Sequence, residues 1–177
     1  MKAILLLSCL VGLYLMAGCA TDAPDVTAYY DPASGRRTDL VENELPSPDQ
    51  PRELLWLNAS RMQRGYDKFV YHLEMRYMAT EQVGLLDITP GESLTLIVDG
   101  KPMKFYGSGS LNMRKGAKKG IVRESAIYEV TLPQLRQIAD AKQVVVQVRG
   151  ATGLVERQFN AENFDRFRRF IVSARGN

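Results

Sequence analysis

The stretch from residue 68 to residue 77 reads KFVYHLEMRY and carries the clearest structural signal in the chain. Apolar and aromatic side chains alternate with polar ones, and successive side chains of a β-strand point to opposite faces of a sheet. The alternation therefore predicts a half-buried strand with one core face and one solvent face. The core face comprises Phe69, Tyr71, Leu73, Met75 and Tyr77, and the solvent face comprises Lys68, Val70, His72, Glu74 and Arg76.

Further strands are predicted on both sides of this stretch. Residues 54–63 can pair with it through a turn at residues 64–67. The dipeptide Asp99-Gly100 favours a tight hairpin, because both residue types tolerate a positive φ. The other predicted strands are residues 93–98 and 102–106 around that turn, residues 121–130, and residues 143–149 and 154–159 around a turn at residues 150–153.

Two short helices are predicted in the second half of the chain. The first starts at Thr131, where the order Thr-Leu-Pro-Gln combines an N-cap, an early proline and the glutamine of a capping box. The second runs from residue 161 to about residue 173, with Asn160 as its cap. Its apolar stripe is typical of a helix that docks on a sheet and comprises Phe164, Phe167, Phe170 and Ile171.

The order of these elements decides the fold class. Successive hairpins without regular strand–helix alternation predict an α+β fold that is mainly antiparallel β. We expect a sheet or sandwich of about six to eight strands with two short helices, one of them C-terminal.

The N-terminus has the layout of an export signal, with Lys2 followed by an apolar run over residues 3–16. This run is shorter than the roughly 20 residues that a membrane-spanning helix needs. It ends in Leu15-Met16-Ala17-Gly18-Cys19, which resembles the lipobox of bacterial prelipoproteins. An ordinary signal peptide with a chance cysteine is the alternative.

The resemblance implies that the protein is located in the bacterial cell envelope. In that class of protein a signal peptide, here residues 1–18, is removed and the cysteine, here Cys19, is acylated with chains such as palmitate. Several acyl chains give stable anchoring to a membrane. Ala20 stands where many lipoproteins kept in the inner membrane have Asp. An outer-membrane location facing the periplasm is therefore favoured if the organism is Gram-negative.

Residues 19–53 differ in composition from the rest of the chain. Between residues 20 and 53 there are eight acidic and three basic side chains, together with five prolines. Such a composition buries too little apolar surface to offset the chain entropy that is lost on folding. We expect an acidic, proline-rich flexible tether over residues 19–53 and a single β-rich globular domain over residues 54–177.

Candidates for catalysis and metal binding are few. Cys9 leaves with the predicted signal and Cys19 takes the lipid, so the mature domain is expected to lack disulfides and thiolate metal sites. A hydrolase would have to use His72, the only histidine, which Glu74 could orient. The required G-x-S-x-G motif is absent, so a solvated strand histidine is favoured. We expect no catalytic residue, no metal and no cofactor.

One segment is strongly basic, because residues 101–123 contain seven basic side chains and no acidic one. It is interpreted as an anion-binding loop for anionic lipid, lipopolysaccharide or another envelope component. A solvated hairpin loop is the structural alternative, and nucleic acid is not expected at the predicted location. The candidate anion-binding residues are Lys101, Lys104, Arg114, Lys115, Lys118, Lys119 and Arg123.

Three functions are therefore considered. The leading one is a non-catalytic, membrane-anchored envelope lipoprotein that binds a partner or an anionic envelope component through the basic loop. The second is a structural or assembly accessory subunit of an envelope protein complex, which would use its aromatic strand faces or its C-terminal helix. The third is a hydrolase that uses His72.

Overall fold

The computed structural model describes residues 26–31, 36–47, 49, 52–64, 68–110, 115–116 and 120–175. Eleven strands and two helices form within these residues. The strands are β1 (Val26–Asp31), β2 (Arg36–Val41), β3 (Glu44–Leu45), β4 (Glu53–Gln63), β5 (Phe69–Thr80), β6 (Gly91–Val98), β7 (Lys101–Gly107), β8 (Lys115–Gly116), β9 (Ile121–Val130), β10 (Val144–Arg149) and β11 (Leu154–Gln158). The helices are α1 (Leu132–Asp140) and α2 (Ala161–Arg175).

The strands form one antiparallel sheet in the order β1-β2-β4-β5-β9-β7-β6-β10-β11, and the short strands β3 and β8 pair with β4 and β9. The predicted α+β class, with a mainly antiparallel sheet and two helices of which one is C-terminal, is confirmed. The strand number of six to eight was too low. The additional strands are β1, β2 and β3, which arise from the region predicted as a tether, and the two-residue β8.

Strand β5 has the predicted alternation. Leu73, Met75 and Tyr77 are buried, while the residues between them are only half-buried. Strand β4 pairs with β5 along its whole length, from Gln63 opposite Phe69 to Glu53 opposite Ala79. The predicted hairpin between these two strands is therefore confirmed. The Asp99-Gly100 hairpin forms as well, and both of its turn residues have a positive φ.

The sheet bends back on itself around its core. Strands β4 and β11 are separated by five other strands in the sheet order, yet Arg157 of β11 lies 3.2 Å from the Glu53 carboxylate of β4. Strands β7 and β9 are joined through the residue pair Gly107 and Tyr128. A Cβ on Gly107 would lie 2.8 Å from the Tyr128 ring, so only glycine allows this close approach.

The expectation of a flexible tether is wrong for residues 26–31, 36–41 and 44–45, which form β1, β2 and β3. Val41 and Leu45 are fully buried, and β2 pairs with β4. The composition misleads because two of its acidic side chains meet basic partners elsewhere in the chain: Asp39 pairs with Arg61 and Glu42 with Arg76. The globular domain therefore includes β1 and does not start at residue 54. Cys19 and the predicted signal lie outside the described residues.

Both helices contribute apolar side chains to the core. At the start of α1, the Thr131 and Gln134 side chains each accept a hydrogen bond from the other residue's backbone N–H, as the capping box predicts. Helix α2 continues to Arg175, beyond the predicted end near residue 173. Its predicted apolar stripe is buried. None of the helices in the described part of the chain has the length and apolarity needed to cross a membrane.

An ion pair inside the core joins three distant parts of the chain. Arg61 of β4 donates from Nε to Asp39 Oδ2 of β2 at 2.5 Å and from Nη1 to the Ala174 carbonyl of α2 at 2.7 Å. The Arg61 guanidinium also lies 4.7 Å from the centre of the Phe69 ring. A cation at the C-terminal end of a helix is favourable because the last carbonyls there are negative. The pair thus holds β2, β4 and α2 in one arrangement.

We predict that Arg61→Ala lowers the free energy of unfolding by about 3–5 kcal/mol, because Asp39 loses its guanidinium partner inside the core. The measurement is the midpoint of urea denaturation. Asp165→Ala, which removes an exposed i,i+3 pair with Arg168 on α2, serves as the control and should cost less than about 1 kcal/mol. Equal small losses in both variants would show that the buried pair does not organise the fold.

Candidate functional site

The structure describes three of the seven predicted anion-binding side chains. Lys104 pairs with Glu92 at 2.9 Å, and this hydrogen bond raises the pKa of Lys104. Lys101 is exposed at the β6–β7 hairpin. Arg123 lies on the solvent face of β9, where the backbone of Lys115 in β8 pairs with it. Arg114, Lys118, Lys119 and the side chain of Lys115 lie outside the described residues.

Arg123 forms one wall of a small cleft on the solvent face of β4, β5 and β9. Trp56 pairs across strands with Arg76, and Met78 pairs with Arg123, so that these four side chains project from the same face. The cleft has a volume of about 150 Å³. We call it the Arg76 cleft, and it is lined by Glu42, Trp56, Arg76, Tyr77, Met78 and Arg123.

Two guanidinium groups give the Arg76 cleft its electrostatic character. Arg76 donates from Nη2 to Glu42 Oε1 at 2.7 Å, and its guanidinium lies 5.5 Å from the centre of the Trp56 ring. The Nε of Arg76 is buried and has no hydrogen-bond partner among the described residues. The contact found for Arg123 is a weak one of 3.8 Å from Nη2 to Met78 Sδ, with no described carboxylate in ion-pair distance.

The start of β1 lies beside the Arg76 cleft. Val26 pairs with Val41 of β2, and Glu42, which follows Val41, is bonded to Arg76. Cys19 precedes Val26 by seven residues. Such a segment spans at most about 25 Å when it is fully extended. The length of the chain thus sets an upper limit on the distance between Cys19 and Val26.

His72 lies in a row of polar side chains that sequence reasoning did not bring together. It is opposite Ser60 on β4 and opposite Glu129 on β9. No hydrogen bond joins His72 to either residue in the described part of the chain. Glu74, expected to orient His72, accepts instead from Asn58 Nδ2 at 3.3 Å. Partial burial lowers the pKa of His72, and the negative charge of Glu129 opposes this shift.

A serine hydrolase also needs groups that stabilise the oxyanion, and the described residues around this row do not offer them. Oxyanion stabilisation needs free N–H donors near the nucleophile. Ser60 and His72 lie in the interior strands β4 and β5, each of which pairs with a neighbouring strand on both sides. The backbone donors there are largely engaged in the sheet. The geometry therefore favours the interpretation of His72 as a strand histidine on the solvent face.

A shallow apolar groove crosses the solvent face of the sheet from the edge strand β1 to β9 and includes His72. It has a volume of about 280 Å³. Tyr29 of β1 forms one end, and Ile127 of β9 the other. Both are about half exposed, Tyr29 by 55% and Ile127 by 47%. The groove is lined by Tyr29, Thr38, Leu40, Ser60, Met62, His72, Glu74 and Ile127.

Buried carboxylates elsewhere have structural partners. Glu124 is fully buried and accepts from Ser110 Oγ at 2.7 Å and from the backbone N–H groups of Asp87 and Ile88. It thereby holds the loop before β6 on the sheet. Burial and the nearby Glu53 and Glu124 carboxylates raise the pKa of Tyr77 to about 12. The described residues include no cluster of three or more His, Cys, Asp or Glu suited to a metal ion.

Comparison with known proteins returns no family, no curated protein and no solved structure that matches this chain. The geometry of the site is therefore the basis for function. Sequence reasoning identified Arg123 but missed Glu42, Trp56 and Arg76. Arg76 and Trp56 each looked like one more side chain of an alternating strand, and only the pairing of the strands brings them together.

We predict that the pKa of His72 lies below its ordinary value of 6.5, because burial disfavours the charged imidazolium. The folded state then binds this proton less readily than the unfolded chain. The stability associated with His72 is therefore complete above pH 6.5 and decreases as the pH falls below it. NMR titration gives an unambiguous signal, since the chain has one histidine.

Glu129→Gln provides the matched control for this titration. It should lower the pKa of His72 further, because the carboxylate that stabilises the imidazolium is removed. A pKa at or above 6.5 in the parent, or a higher pKa in the variant, would contradict the described environment of His72.

Proposed function

We propose that this chain is a membrane-anchored bacterial envelope lipoprotein whose domain is a non-catalytic binding module for an anionic envelope component. The observation that carries the proposal is the position of the Arg76 cleft. It lies beside the start of β1, which follows Cys19 by seven residues in sequence, and beside β8, which contains Lys115 of the basic segment.

This arrangement combines two signals for membrane association. Acyl chains supply apolar attachment, and basic side chains near the surface add roughly 1 kcal/mol each in the presence of anionic lipid. The two signals are cooperative only if they reach the same membrane. The short segment between Cys19 and Val26 supports this requirement, whereas a long tether over residues 19–53 would have separated them.

The anchor is tested by substituting its cysteine. We expect Cys19→Ser to abolish incorporation of radiolabelled palmitate and to prevent processing before residue 19, because the thiol is the acceptor of the lipid. Labelling of cells and electrophoretic mobility measure both effects. Cys9→Ser is the matched control, since Cys9 lies within the proposed signal and should leave labelling unchanged. Palmitate incorporation that persists in Cys19→Ser would contradict the anchor.

The edge strand β1 favours an assembly accessory as the second candidate. Free sheet edges invite pairing with another chain unless charges or prolines block them. Strand β7 pairs with β9 only at Gly107, and the part of β7 that does not pair with β9 carries Lys101, Pro102 and Lys104. Strand β1, in contrast, has the sequence VTAYYD, with a single charge at its end. Tyr30 of β1 is 69% exposed. Such an edge is suited to an added strand from a partner protein.

Photo-crosslinking distinguishes this candidate. A photoreactive phenylalanine analogue at Tyr30 should capture one protein reproducibly in intact cells if β1 accepts a partner strand. The same analogue at Val172, which is equally exposed on α2 (68%), is the control. Recurrent capture at Tyr30 and not at Val172 would favour the accessory function. Identical patterns at both positions would count against it.

A further inference from the structure

We propose that the Arg76 cleft binds the phosphate group of an anionic phospholipid in the same membrane that holds the anchor. The inference deepens the proposed function and rests on it for the presence of that membrane. It names a site that differs from the basic segment predicted from the sequence, because two of its main residues, Arg76 and Trp56, lie on β5 and β4.

The cleft offers donors that its own residues leave unused. Arg123 is exposed, and among the described residues its guanidinium contacts only a thioether weakly. A guanidinium presents several N–H donors in one plane, which suits the oxygens of a phosphate. An anion between the two arginines would satisfy donors that the protein itself does not.

Trp56 keeps Arg76 ready for this role. Stacking on the indole ring restricts the long side chain before any ligand arrives, which lowers the entropic cost of binding. Trp56 and Met78 also provide an apolar wall beside the charges. Tryptophan is favoured at the membrane–water interface, where apolar and polar surroundings meet. The lining thus matches a lipid head group better than a fully solvated anion.

Glu42 occupies part of the site in the absence of a ligand. Its carboxylate is bonded to Nη2 of Arg76, but its side chain is 60% exposed and so can turn into solvent. A phosphate group would replace one anionic partner of Arg76 by another. Glu42 is therefore an internal competitor, and its removal should strengthen binding, which is the opposite of the effect expected for a ligand-binding residue.

Size and position limit the ligand. The cleft volume of about 150 Å³ accommodates one small anionic group. The segment from Cys19 allows a distance of at most about 25 Å between the anchor and β1. Head groups around the anchor are therefore within reach of the cleft.

The fluorescence of Trp56 provides a direct test, because it is the only tryptophan in the chain. The mature lipidated protein is placed in vesicles of a neutral, phosphate-free glycolipid, and phosphatidylglycerol is added in increasing proportion at low and high salt. We expect a saturable change in emission that salt weakens. Arg123→Gln should shift the midpoint to about tenfold more phosphatidylglycerol, as expected for loss of a charged hydrogen bond.

The decisive comparison is Glu42→Gln, which should lower the midpoint severalfold. Arg76→Lys, which keeps the charge but loses Nε, should raise it, and Lys142→Gln, at an exposed residue outside the cleft lining, is the neutral control. Inorganic phosphate identifies the source: if it produces the same saturation in vesicles of the phosphate-free glycolipid alone, the site is one for free phosphate and the lipid assignment is overturned.

Two other outcomes separate the cleft from the broader proposal. If Lys115, Lys118 and Lys119 changed together to Glu abolish the response, while Arg123→Gln and Glu42→Gln leave it unchanged, the basic segment binds the lipid and the cleft does not. That result overturns the inference and preserves the proposed function. A parent protein that does not respond to phosphatidylglycerol overturns the inference too, whereas the anchor is judged independently by palmitate labelling.

Discussion

A carboxylate and a guanidinium in the core, Asp39 and Arg61, hold together parts of this chain that are far apart in sequence. Burying two charges costs free energy that only close pairing and additional hydrogen bonds offset. Arg61 meets this condition because it also donates to the Ala174 carbonyl at the end of α2. Strand β2 is therefore fixed to β4, and β1, which pairs with β2, takes its position from the same contact.

The position of β2 also determines the Arg76 cleft on the solvent face of the sheet. Once β2 is in place, Glu42 lies next to Arg76, and Arg76 lies on Trp56. The cleft is thus assembled from β4, β5, β9 and the residue that follows β2. Its charge is positive because two arginines face one carboxylate, and the proposed lipid anchor is attached a short distance along the same chain. Charge and anchor would then act on a single membrane surface.

Local patterns predicted much of this fold. The alternation in residues 68–77, the Asp99-Gly100 turn and the capping box at Thr131 each depend on neighbours in sequence, and all three are confirmed. The strands at residues 26–31, 36–41 and 44–45 were missed for the same reason. The acidic side chains and prolines of the region before residue 54 indicate a solvated chain when only neighbours are considered. The basic partners of its acidic side chains, Arg61 and Arg76, lie on β4 and β5, so a pattern of neighbouring residues does not reveal them.

The sequence by itself determined both helices and the longer strands after residue 53, which face of each is apolar, and where the basic residues concentrate. These properties follow from side-chain periodicity and from turn and cap chemistry, which operate over a few residues. Only the tertiary structure decided that β1, β2 and β3 belong to the sheet, that Gly107 packs against Tyr128, and that Glu42, Trp56, Arg76 and Arg123 share one cleft. Each of these depends on strand pairing between distant residues, and pairing is set by the burial of the whole core and not by any single segment.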